Sequence, residues 1–254
     1  MAPKLPWQIY SEQMECLGHG HALWEPAPMG GYTRIRIGDV GLILQGRFHL
    51  LFSAGFPLGN RILGIDVPSS FRQLAVGAVE KTKLRNPGCV GVQTNRKGAT
   101  SFDVGESTQS TKPGSDFLIE LTGDRGAALT TRYPTYGEDP LSSTLFIGYT
   151  KRHYRSWVKF SRDKGYGEHL LPILVSGLDM TKDFAIVAYS NDSTSVQSDA
   201  PVYTPMFSHG DASLPWTWCT PASSYQKHGP SRPMSPDLPP LNSRAGVFST
   251  GFDQ

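Results

Sequence analysis

A chain of 254 residues, 38% hydrophobic and punctuated by 27 glycines and 20 prolines, can bury one substantial core but is too interrupted for a bundle of long helices. Its formal charge of +2 excludes a global basic field of the kind that holds nucleic acid non-specifically. No run of about 18 apolar residues is present, so no membrane-spanning helix is expected.

Three cysteines, Cys16, Cys89 and Cys219, are odd in number and never spaced C-x-x-C. They read as free thiols in a reducing compartment, and with no apolar leader in the first residues the expected location is cytoplasmic. Residues 1–17 read as an N-terminal extension, 18–205 as a single globular α+β domain, and 206–254 as a Pro/Ser-rich, partly disordered tail.

In chain order, the first stretch with chemistry in it is 18–26, GHGHALWEP. His19 and His21, two apart, share a face on an extended backbone, and Glu25 follows four later. Two imidazoles and a carboxylate suit zinc or iron, with positions left open for water or substrate. The spacing His-x-His-x-x-x-Glu resembles half of the cupin metal motif over these seven positions, and no second motif supplies another histidine. The competing assignment makes both histidines hydrogen-bonding loop residues and Trp24 the anchor of the loop to the core.

From Tyr32 the pattern turns to strands at 34–37, 41–44 and 47–52, the last two joined as a hairpin at Gln45-Gly46. Asp39 and His49 lie in this region as candidate acid or base. Residues 55–64 read as a loop, and 71–76 as a short helix capped by Ser69 or Ser70, or else an irregular connection. The cations of 81–85 with Arg96 and Lys97 form a local cluster without interleaved aromatics, hence a solvated face and no strong nucleic-acid signal. Residues 89–94 read as a strand and 105–115 as a polar loop. A second hairpin is expected from 117–121 and 127–131 around a turn at 123–126, followed by a loop over 133–143.

The clearest element is an amphipathic helix at about 150–164, with Thr150 as its N-cap. Tyr154, Trp157, Val158 and Ser161 fall on one stripe of a 3.6-residue period, and Lys151, Arg152, Arg155, Lys159 and Arg162 take the other faces. Gly165 and Gly167 close it, and strands follow at 170–176 and 184–189 across a polar turn at 177–182, with Pro172 marking an edge or a bulge. Nine of the 20 prolines fall from Pro201 onward, so 223–254 is expected to be extended or disordered. Trp216 and Trp218 stand out there, as a clamp onto the domain or part of a ligand platform.

The phrases GHALWEP (20–26), IGDVGLI (37–43), GRFHLLF (46–52), YTKRHYRSWVKF (149–160) and LVSGLDMTKDFAIVAYS (174–190) resemble an uncharacterised domain of mushroom-forming basidiomycete (agaricomycete) fungal proteins. The likeness spans roughly 18 to 205 and ends before about Ser223. It implies a fungal source and carries over no functional residue.

The fold expected is α+β, mainly antiparallel β-sheet with one principal amphipathic helix (about 150–164) and the Pro/Ser-rich C-terminal tail. No G-x-S-x-G elbow, P-loop, G-x-G-x-x-G or H-E-x-x-H is present. The leading expectation is a non-enzymatic recognition or scaffolding domain with a protein partner and no cofactor. The alternative is a metal-dependent enzyme of secondary metabolism, holding a divalent metal on His19, His21 and Glu25, with Asp39 or His49 as acid or base. A second alternative is a carbohydrate- or lipid-binding module built on Trp24, Trp216 and Trp218.

Overall fold

The structure is a computed structural model that describes residues 4–26, 34–56, 65–86, 88–95, 98–105, 117–121, 124–190, 202–206, 224–229 and 241–247. Their architecture is α+β, mostly antiparallel β-sheet with two helices. Among the described residues no helix is long and apolar enough to cross a membrane.

The hairpin read around Gln45-Gly46 forms as β2 (Asp39–Leu44) and β3 (Arg47–Ser53). Gln45 (φ 52°) and Gly46 (φ 77°) are both left-handed, as a two-residue turn matched to strand twist requires. A Cβ on Gly46 would stand 2.5 Å from Cβ of Trp24, so the turn is also wedged against the core. Residues 34–37, expected as a strand, are instead an irregular lead-in that turns at Arg36 to Asp39.

Helix α2 is Ser143–Asp163, longer than its sequence period announces. Thr150, expected as the cap, is buried inside it, because Phe146 and Thr150 extend the stripe of Trp157 and Ser161 by two further turns. Burying Phe146 offsets the roughly 1 kcal/mol that Gly148 costs a helix interior. The helix stops where expected, at Gly165 (φ 88°).

After it comes β10 (Ile173–Thr181), the hub of a seven-stranded sheet. The polar turn expected at 177–182 is mostly strand, since Leu178 and Met180 bury on the core side and only Lys182 and Asp183 remain to turn. β2 pairs with the first two residues of β10, and β9 (Thr135–Pro140) with Leu178 to Met180. β14 (Leu241–Val247) runs beside β10 from Val175 to Thr181, with β1 (His21–Ala22) outside it and β4 (Val79–Arg85) outside β9.

The next strand, β11 (Phe184–Ser190), crosses into a second sheet ordered β13 (Ser224–Gly229), β11, β8 (Arg125–Thr131), β5 (Gly88–Asn95), β6 (Gly98–Gly105). The second hairpin expected from the sequence does not form. β8 lies between β5 and β11, while β7 (Phe117–Leu121) pairs with β12 (Val202–Met206). Long-range packing decides this pairing: Tyr189 lies flat across Gly126, where a Cβ would come within 2.5 Å of the ring. Within the segment read as a tail, 224–229 and 241–247 are extended strands, one in each of the two sheets.

Each sheet has its own core and its own helix. Under α2 lie Trp157, Phe52, Leu42, Val40 and Leu178. Under α1 (Pro6–Glu15), a helix within the segment read as an extension, lie Ile9, Tyr10, Met14, Trp24, Leu129 and Ile186. Pro6 starts α1 at a position where its missing N–H costs nothing, and Gln8 Oε1 accepts the Leu5 N–H at 2.9 Å.

Candidate functional site

The left-handed glycines Gly18 (φ 74°) and Gly20 (φ 86°) turn the chain from α1 into β1, and this turn places His19 and His21 on one wall of a cleft of about 730 Å³. The opposite walls come from β10, from Asp139 of β9 and from the connector bearing His169 to Leu171. Leu42, Ile43, Ile173 and Leu178 supply an apolar lining. His19 and His21 stand out in the sequence by their spacing, whereas Glu15, Asp139, His169 and Asp179 join them only through the fold, linked by no local spacing.

Two of the imidazoles are already engaged. His21 Nδ1 lies 2.7 Å from Glu15 Oε1, and His19 Nδ1 lies 3.5 Å from Asp179 Oδ2. Such a carboxylate fixes the tautomer and plane of the ring it holds. Asp139 crosses β10 at Gly177, where a Cβ would stand 2.5 Å from Oδ1, so only glycine admits the carboxylate there. Ser176 lies at a register break between Val175 and Gly177, and this bulge sets it among the residues facing the cleft. Three carboxylates, Glu15, Asp139 and Asp179, thus share the cleft with three imidazoles, His19, His21 and His169.

Glu25 does not join the histidines. Its carboxylate accepts from Arg47 on β3 and from Lys227 on β13, tying the two sheets together. Among the described residues no group of three or more His, Cys, Asp or Glu side chains could hold a metal ion, so the proposed set of His19, His21 and Glu25 is not assembled. Trp24 is a core residue, edge-on to Tyr10 at 5.5 Å, and Trp216 and Trp218 lie outside the described residues.

Asp39 and His49 do not line the cleft. Asp39 is buried and accepts the Arg36 N–H at 2.8 Å. Burial pushes its carboxyl up to about 6, against the opposing pull of hydrogen bonds from Ser53 and Arg36 and of the Arg36 charge. Its role is to pin the turn into β2. His49 faces Leu42 across the hairpin, and partial burial, then the Arg47 charge, hold it below the usual imidazole range.

Fold and site together define a class: a two-sheet α+β domain with an open cleft along β10 of the larger sheet, lined by histidines, carboxylates and apolar side chains. No family model, no curated protein and no solved structure matches the chain.

Proposed function

We propose that this chain is a non-enzymatic recognition domain whose cleft takes a protein segment presenting an amine or guanidinium beside an apolar side chain. The observation that carries this reading is the composition of the cleft, with Glu15, Asp139 and Asp179 set around Leu42, Ile43 and Leu178. A cation gains from the carboxylates, and its alkyl stem gains from the apolar lining. Two exposed leucines at the same opening, Leu84 and Leu171, enlarge the apolar contact beyond the cleft. The setting proposed is a fungal cytoplasm, supported by the basidiomycete likeness and by thiols at Cys16 and Cys89 that form no disulfide.

The test is calorimetric titration with a panel of short peptides, basic-apolar, acidic-apolar and neutral. Basic-apolar peptides should bind, and Asp139→Asn with Asp179→Asn should weaken them about tenfold. Equal binding of acidic and basic peptides, or binding indifferent to both substitutions, removes the reading.

The imidazole–carboxylate pairs favour one second reading, acid–base chemistry in the same cleft with Ser176 as nucleophile. A fluorophosphonate probe that labels Ser176 in the native chain, and fails to after His19→Ala, would support it. No labelling would remove it.

A further inference from the structure

We infer that the outward face of α2 is a docking surface for an anionic phospholipid membrane. At 100° per residue, Lys151, Arg152, Arg155, Lys159 and Arg162 fall within about 100° of arc on the side opposite buried Phe146, Thr150, Trp157 and Ser161. All five are exposed. The helix contains no acidic residue before Asp163, its last position. Lys159 is matched by Asp163 at 2.6 Å, and Arg162 reaches Glu168 only at 4.0 Å. Lys151, Arg152 and Arg155 form no ion pair among the described residues. Arg72 adds to the same field: after partial burial, the charges of Arg152 and Arg72 depress the pKa of His153 between them.

The first turns of the helix complete the surface with apolar groups. Leu145 and Ile147, which flank the cation arc on the helix, are 52% and 38% exposed, and Leu141, just before the N-cap, is 70% exposed. The helix extends about 30 Å and its basic strip, from Lys151 to Arg162, about 17 Å of that, a run that suits a surface better than a pocket. An acidic protein would satisfy the charges, but the adjoining exposed leucines find their match in a bilayer interface, where headgroups meet acyl chains. Nucleic acid fits less well, because no exposed aromatic interleaves with the cations to stack on bases. This surface is separate from the cleft and does not rest on the recognition reading.

The test is flotation of the full chain with phosphatidylcholine vesicles, with and without about a third phosphatidylserine. The chain should float only with phosphatidylserine vesicles and should be released by about 0.5 M salt. Arg152→Glu with Arg155→Glu should lower partition at least tenfold, and Leu141→Ser with Leu145→Ser severalfold, both with unchanged melting curves. Failure to float on phosphatidylserine vesicles overturns the inference, as does partition indifferent to the charge reversals. So does a leucine variant that floats like the parent while duplex RNA, bound without lipid, is lost on charge reversal, for the partner is then nucleic acid.

Discussion

The two sheets of this molecule are packed by different rules. Under α2, rings pack on rings: Phe52 meets Trp157, Phe160 and Phe71 edge-on at 6.2, 5.8 and 6.1 Å. In the second sheet, rings lie on glycines directly across the strand ladder, Tyr189 over Gly126, Phe102 over Gly91 and Phe184 over Gly229. The first arrangement tolerates loss of register because bulky groups interdigitate from a helix. The second needs register held to the residue, since a slip by one would put a ring against a side chain instead of a glycine.

The largest expected effect tests the first rule. Trp157→Ala removes the residue that Phe52, Tyr149 and Tyr154 all contact, and the cavity should cost about 3–5 kcal/mol in denaturant unfolding. A smaller loss than that of Met14→Ala, a buried residue of the α1 core, would mean that the aromatic cluster is not the main anchor.

Next comes a charge contrast. Asp39, at the base of the α2 core, has its carboxyl pushed up to about 6, whereas Asp183, also raised by burial, faces Arg132 at 2.5 Å where the chain crosses between sheets. Because the folded value for Asp39 lies above the unfolded one, its contribution is fully present below about pH 4 and lost as pH rises through 6. The loss amounts to about 3 kcal/mol at 1.36 kcal/mol per unit. Asp39→Asn should keep the Arg36 contact, remove this slope and leave the variant more stable than the parent at pH 8. A parent-minus-variant difference that stays flat from pH 4 to 8 sinks the assignment.

These two rules also explain what could be read in the sequence. The β2–β3 turn and the α2 period are local, carried by Gln45-Gly46 and by Trp157 with its neighbours, so they stand out in the chain. Strands β4 and β9 were not legible, because β4 exposes Lys81, Lys83 and their neighbours while β9 buries Thr135, Gly137 and Glu138 in place of apolar side chains, so neither gives apolar alternation. The β7–β8 hairpin was misread because Gly126, a good turn residue locally, is claimed by Tyr189 from far along the chain. In the cleft, the loop histidines were visible as odd composition. Their partners Glu15 and Asp179 were not, since one ends a helix outside the expected domain and the other sits in a strand expected to be a turn.

The smallest effects sharpen the comparison most, because the same substitution should change sign between regions. Gly126→Ala puts a methyl 2.5 Å from Cε1 and 2.6 Å from the hydroxyl of Tyr189, a fully buried ring with no room to swing, and should cost about 1–3 kcal/mol. Gly148→Ala, on the outer face of α2, meets nothing within 4 Å and replaces the poorest non-proline helix former with the best. It should stabilise the chain by up to about 1 kcal/mol, read as a raised melting temperature, and partly through the unfolded chain, which alanine stiffens. If both alanines destabilise alike, the outer face of α2 is covered by something in the folded chain, and both the contrast between the regions and the free surface needed for membrane docking are lost.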